Sequence, residues 1–114
     1  MIAVIFEFTP AEGRTQDYFD LVEQLKPELE KAEGLLSIER FESLSTKGRF
    51  VSLQFWKDEE SVARWRNVEL HRIAQARGRA GIIGSYRLRI AGVTRDYTKE
   101  DRAQAPQDSR SRHG

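Results

Sequence analysis

Residues 50–65 read FVSLQFWKDEESVARW, and inside that stretch the chain changes period. Phe50–Trp56 sets VSLQF between two aromatics, the make-up of a strand. Asp58 follows as an N-cap candidate, and Glu59 and Glu60 suit the positive end of a helix dipole. Val62, Trp65 and Val68 then recur at three-residue steps, which predicts a helix running to about Ala76. One short segment therefore commits the chain to a strand followed directly by a helix.

The flanks repeat this logic. Upstream, Leu36–Leu44 reads as a strand with Ile38 and Phe41, and Ser45-Thr46-Lys47-Gly48 joins it to Phe50 as a hairpin. Before it, Tyr18, Leu21, Val22, Leu25 and Leu29 form a helical stripe beginning near Thr15, with Gly34 placed to end it. Pro27 inside the stripe predicts a kink or break near Leu25–Lys26. Ile2, Val4, Phe6 and Phe8 alternate with Ala3, Ile5 and Glu7 as a first strand, broken by Thr9-Pro10-Ala11-Glu12-Gly13. Downstream, glycines at 78, 81 and 84 loosen the chain before a long last strand, Tyr86–Tyr97, with Gly92 a bulge candidate. Here Tyr86, Leu88 and Ile90 oppose Arg87, Arg89 and Ala91.

The order is βαββαβ. Short connections and right-handed crossovers turn it into an α+β, ferredoxin-like antiparallel sheet with both helices on one face. The other face needs a cover, and pairing two sheets face to face predicts a homodimer. Residues 1–97 form the expected domain; residues 98–114 are polar and expected to be a disordered tail.

Composition narrows the function classes. Residues 1–97 carry fifteen charges of each sign, and the tail holds the net +1, which argues against nucleic-acid binding. Absence of cysteine removes disulfides and thiolate metal sites and fits a reducing cytoplasm. The apolar start is interrupted at Glu7 with no basic segment before it, which argues against a signal peptide, and no run is long enough to span a membrane. There is no Gly-rich phosphate loop, nucleophile elbow or paired-histidine metal spacing. His113 lies in the tail and is given no role.

What remains is an aromatic-rich interface of helix and sheet: Phe6, Phe8, Tyr18, Phe41, Phe50, Phe55, Trp56, Trp65 and Tyr86. Ordinary core packing explains most of them. Trp65 stands apart, because an indole needs a partner for its N–H and a volume that implies a cavity. On one continuous helix His71 falls on the flank with Arg64 and Gln75, outside the apolar arc; a break near Asn67 turns it inward as a proton acceptor or donor. The arginines from Arg64 to Arg79 read as a solvated face, with one or two able to hold a carboxylate or phenolate.

The alternating first strand, the Gly-containing turn and helix, the strand ending Phe55-Trp56-Lys57-Asp58, Trp65 on the next helix and the final YRLR together resemble the antibiotic biosynthesis monooxygenase domain, a branch of the dimeric α+β barrel superfamily. The resemblance covers residues 1–97. It implies a homodimer with a cavity between sheet and helices in each subunit. Enzymatic members oxidise phenols or quinols with O2 and no cofactor; others degrade haem. The haem branch pairs a first-strand asparagine and the tryptophan with a histidine ten residues beyond it. Here Phe6 and Gln75 occupy the asparagine and histidine positions, which disfavours haem. By this resemblance the chain is a cofactor-free oxidoreductase for a small aromatic or hydrophobic metabolite. Trp65 and His71 are its catalytic candidates, and Phe6, Tyr18, Trp56, Gln75, Tyr86 and Arg87 line the substrate. The alternative is a non-catalytic ligand-binding or stress-response protein with the same cavity.

Overall fold

A computed structural model describes the backbone of residues 1–75 and 81–113 and the side chains of 1–68 and 81–112. The period-two segments become β1 (Ile2–Pro10), β2 (Leu35–Glu42), β3 (Phe50–Trp56) and β4 (Ile83–Gly92). The helical stripes become α1 (Thr15–Glu30) and α2 (Glu59–Gln75), and a short α3 (Gln107–His113) follows. All neighbouring strands are antiparallel in the order β2-β3-β1-β4, the α+β ferredoxin-like arrangement that the element order predicts.

Alternation on β1 assigns the two faces. Phe8 lies 4.4 Å, centroid to centroid, from Tyr18 of α1, so Val4, Phe6 and Phe8 face the helices. Ala3, Ile5 and Glu7 face the other way. The core beneath the helices has two ends. Val4, Leu29, Trp56 and Trp65 make one; Phe8, Tyr18 and Ile82 make the other. Each of these large side chains contributes about 1.5–3 kcal/mol by leaving water. Among the described residues no helix is long and apolar enough to cross a membrane.

Asp58 caps α2 as its sequence position suggests. Its Oδ1 accepts hydrogen bonds from the Ser61 backbone N–H at 2.8 Å and from Ser61 Oγ at 2.7 Å. Those bonds, the hydroxyl's first, hold the Asp58 carboxyl below the usual carboxylate range. From Glu59 the helix continues through Asn67 to Gln75 without a break, so the register is not reset.

Four expectations change. First, α1 passes through Pro27 without interruption. Pro27 sits at the start of the last turn, so the orphaned carbonyl is that of exposed Glu23, which water can satisfy. Second, α1 ends at Glu30 rather than at Gly34: the Lys31 and Ala32 N–H groups bond back to Glu28 and Leu29 in a tightened last turn. Gly34 instead serves a close approach, with φ +90° and its carbonyl accepting from the Lys57 N–H at 2.7 Å. Third, β4 lies earlier than predicted and stops at Gly92, whose register partner is Ile2 near the end of β1. The irregularity falls at Thr9/Pro10, where proline has no N–H for the ladder. Fourth, the tail carries structure where none was expected. Gln104 Oε1 accepts from the Asp96 N–H at 2.8 Å, Thr98 Oγ1 accepts from the Asp101 N–H at 2.8 Å, and Ala105 is buried.

Candidate functional site

The register places Tyr86, Leu88 and Ile90 of β4 beside Phe8, Phe6 and Val4, on the side of the sheet where the helices lie. Yet they remain 68%, 52% and 47% exposed. The reason is how the helices are laid. Tyr18 and Phe19 of α1 pack on Phe8 and Phe50, while Trp65 and Val62 of α2 belong to the Val4–Trp56 end. Among the described residues neither packs on β4, whose main neighbour is β1. The result is an open apolar strip continuous with the aromatic core: the Phe6 ring stacks on Phe8 at 5.0 Å and lies 5.6 Å from Tyr86.

The residues singled out from sequence fall into distinct places. Phe6 and Tyr86 belong to the strip itself. Tyr18 is buried against Phe8 and forms part of its floor. Trp65 is also buried, its ring centroid 6.5 Å from Trp56, in the cluster with Val4, whose partner on β4 is Ile90. Trp56 has no exposed surface and donates its Nε1 hydrogen to Gln54 Oε1 at 2.9 Å, the arrangement of a core tryptophan. The side chains of His71 and Gln75 lie outside the described residues.

Arg87 is a correction. It occupies the opposite parity from Tyr86, Leu88 and Ile90, so it faces away from the helices and cannot hold an anion on the strip. Its neighbour Arg89 shows what that face contains: Glu7 Oε1 accepts from Arg89 Nη1 and Glu7 Oε2 from Arg49 Nη2, both at 2.9 Å. The Arg49 hydrogen bond, aided by Arg89, holds the Glu7 carboxyl below the usual range. The site residues missing from the sequence reading are Leu88 and Ile90. Their alternation with Tyr86 was visible, but an uncovered strand looks the same in sequence as a covered one.

The model of the antibiotic biosynthesis monooxygenase family matches residues 1–77 of this chain. The chain belongs to this family. A jasmonate monooxygenase of the fungus Pyricularia oryzae is 42% identical to it over 94 residues, 82% of this chain and 44% of the relative. The chain thus spans less than half the length of that family member. Among solved structures, the Rv0793 protein of Mycobacterium tuberculosis superposes with a TM-score of 0.71 at 16% identity, covering 85% of this chain and 98% of the other. The haem degrader MhuD of the same organism, solved with two haems in its active site, gives 0.65 at 17% identity, covering 86% and 100%. At such identities the two structures establish a shared fold. Family membership rests on the segment from β1 to α2; the bare strip on β4 lies beyond the matched residues.

Proposed function

We propose that this chain is the oxygenase domain of a homodimeric, cytoplasmic enzyme that oxidises a small aromatic, quinol-type or similarly apolar metabolite with O2 and no cofactor. The observation that carries this reading is the open strip of Phe6, Tyr86, Leu88 and Ile90 on the helix side of the sheet. Half-exposed side chains in a continuous apolar line are what a flat, water-averse ligand would cover. The Pyricularia relative, named for jasmonate, supports a compact and largely apolar substrate.

In this reading the strip supplies binding and the exclusion of water, and Tyr86 Oη is the polar group beside the bound molecule. Trp65 forms the wall behind Ile90, and the strip excludes water while the electron-rich anion forms; α2 lacks the break that would turn His71 inward, so no proton transfer is assigned to it. Arg87 has no part. Oxygen uptake measured with a panel of naphthalene hydroquinones and jasmonic acid tests the proposal. Turnover above buffer, reduced in Leu88→Ser and in Tyr86→Phe, is expected; no uptake with any of them would sink it.

One observation favours a second reading. Trp65 is packed among Val4, Leu29 and Trp56 as an ordinary core residue would be. A non-catalytic ligand-binding or stress-response protein would use the same strip, bind the metabolite and return it unchanged.

A further inference from the structure

One charge on the helix side of the sheet has no part in the strip. The register aligns three rows on that side across β2, β3, β1 and β4. Ile38, Gln54, Val4 and Ile90 run through the Trp56–Trp65 end of the core. Glu42, Phe50, Phe8 and Tyr86 run through the Tyr18 end. Between these two lies the row Arg40, Ser52, Phe6, Leu88. Two of its four members are polar, at the seam between the two apolar clusters. Ser52 is only 3% exposed. Arg40 is half-buried, and its Nε is shut off from water with no hydrogen-bond partner.

A buried guanidinium N–H without a partner is costly, because it gives up water and gains nothing in exchange. The neighbouring anions do not relieve it. Glu42, two residues along the same face, accepts from the Gly48 N–H at 3.1 Å, and Glu39 lies on the opposite face. Among the described residues Arg40 forms no ion pair. The row also relates this charge to the strip. Leu88, at its far end, is 52% exposed, and Phe6 beside it is half-buried. From Arg40 to Leu88 is three strand spacings, about 14 Å. Extended toward Ser52, an arginine side chain covers more than one of them. A two-ring apolar body lying on Leu88 and Phe6 spans the rest, which brings a group on its inner edge to the guanidinium.

We propose that Arg40 is the anion anchor of the site: the ligand carries a carboxylate or phenolate that pairs with the Arg40 guanidinium while its apolar body covers Phe6 and Leu88. The assignment rests on the strip being the binding site and adds the charge of what it binds. The planar fork of an arginine suits an oxyanion, which it can grip through two parallel N–H···O bonds. The ligand thereby supplies the partner that Nε lacks. A neutral molecule of the same shape covers the same apolar surface and leaves the buried donor unpaired, so the arginine selects by charge.

Equilibrium dialysis of the full chain near neutral pH against 1-hydroxy-2-naphthoate and 1-naphthol is the test, since the first is charged there and the second is not. The wild-type chain is expected to hold the naphthoate about tenfold or more tightly than 1-naphthol. Arg40→Met, which keeps an apolar stem and removes the charge, is expected to erase that preference and leave 1-naphthol binding unchanged. Arg40→Gln, a second neutral replacement, is expected to erase it too and carries the test if the methionine variant does not fold. Arg87→Gln, on the opposite face, should change neither affinity. Equal binding of the two molecules by the wild-type chain, or a preference that survives in the Arg40 variants, overturns the anchor and leaves the strip standing. Binding of neither molecule, or 1-naphthol binding that Leu88→Ser does not weaken, overturns the strip and the anchor with it.

Discussion

Replacing Gly34 by alanine isolates one contact on which the junction of β2 and α2 depends. Gly34 has φ +90°, and a Cβ there would lie 2.0 Å from Ser61 Oγ and 2.5 Å from Ser61 Cβ. Neither side yields easily. Ser61 is 1% exposed, its hydroxyl donates to Asp58 and accepts from Arg64 Nη2 at 3.1 Å, and the Gly34 carbonyl is tied to the Lys57 N–H. The left-handed backbone costs an alanine about 1–2 kcal/mol. Forcing a methyl into an occupied site adds roughly 1–3 kcal/mol. Gly48→Ala is the matched control, with φ +82° and nothing within 4 Å of the added Cβ. Only the first cost applies to it. Thermal melts by far-UV circular dichroism should place Gly34→Ala below Gly48→Ala by roughly 4–15 °C, at about 4–5 °C per kcal/mol for a chain of this size. Both must be run at one protein concentration, since association raises the apparent melting temperature. Adding Ser61→Ala, which removes the Oγ contact, should return part of the stability that Gly34→Ala loses, although the Cβ contact remains. Equal melting of the two glycine variants would refute the reasoning.

Pro27→Ala is expected to stabilise the fold by roughly 1–3 kcal/mol in urea titrations, since it restores a donor to the Glu23 carbonyl at an exposed helical position; an unchanged midpoint would mean the helix has already adapted. Glu7 and Asp58 both have lowered folded-state carboxyl pKa values. Their contribution is therefore present above the unfolded values near 4 and is lost as pH falls through the folded ones. Glu7→Gln and Asp58→Asn should accordingly flatten the decline in stability below about pH 4 while lowering the neutral plateau. Leu88→Ser with Ile90→Ser should weaken retention of a naphthalene hydroquinone in equilibrium dialysis by about tenfold or more. Because both side chains are already about half in water, the melting temperature should move little, and a large drop would mark them as core.

The strand and helix identities were legible because each depends on local spacing. The change of period after Trp56, the Asp58 cap and the β1 alternation all survive in three dimensions with their partners nearby in sequence. The ends of elements were less so. β4 stops where β1 gives it no further partner, and α1 stops four residues short of Gly34, which is reserved for Ser61; both are long-range facts. The candidate site failed to show for the same reason. Parity alone separates Arg87 from Tyr86, and that much could be read from YRLRI. That the described residues of neither helix pack on β4 depends on how α1 and α2 cross the sheet, which no window of sequence contains.

The stacking of Trp56 and Trp65 determines what the protein's own light can report. Both indoles sit in the cluster with Val4 and Leu29, with ring centroids 6.5 Å apart, so excitation is shared between them and the emission comes from one end of the core. The cluster of Phe8, Tyr18 and Ile82 has no indole. Unfolding followed by tryptophan emission watches half the interior, and far-UV dichroism watches the whole backbone. Coincidence of the two curves is then a real test of whether the ends of the core melt together, and a molecule settling on Tyr86 would alter the emission only by disturbing the tryptophan end.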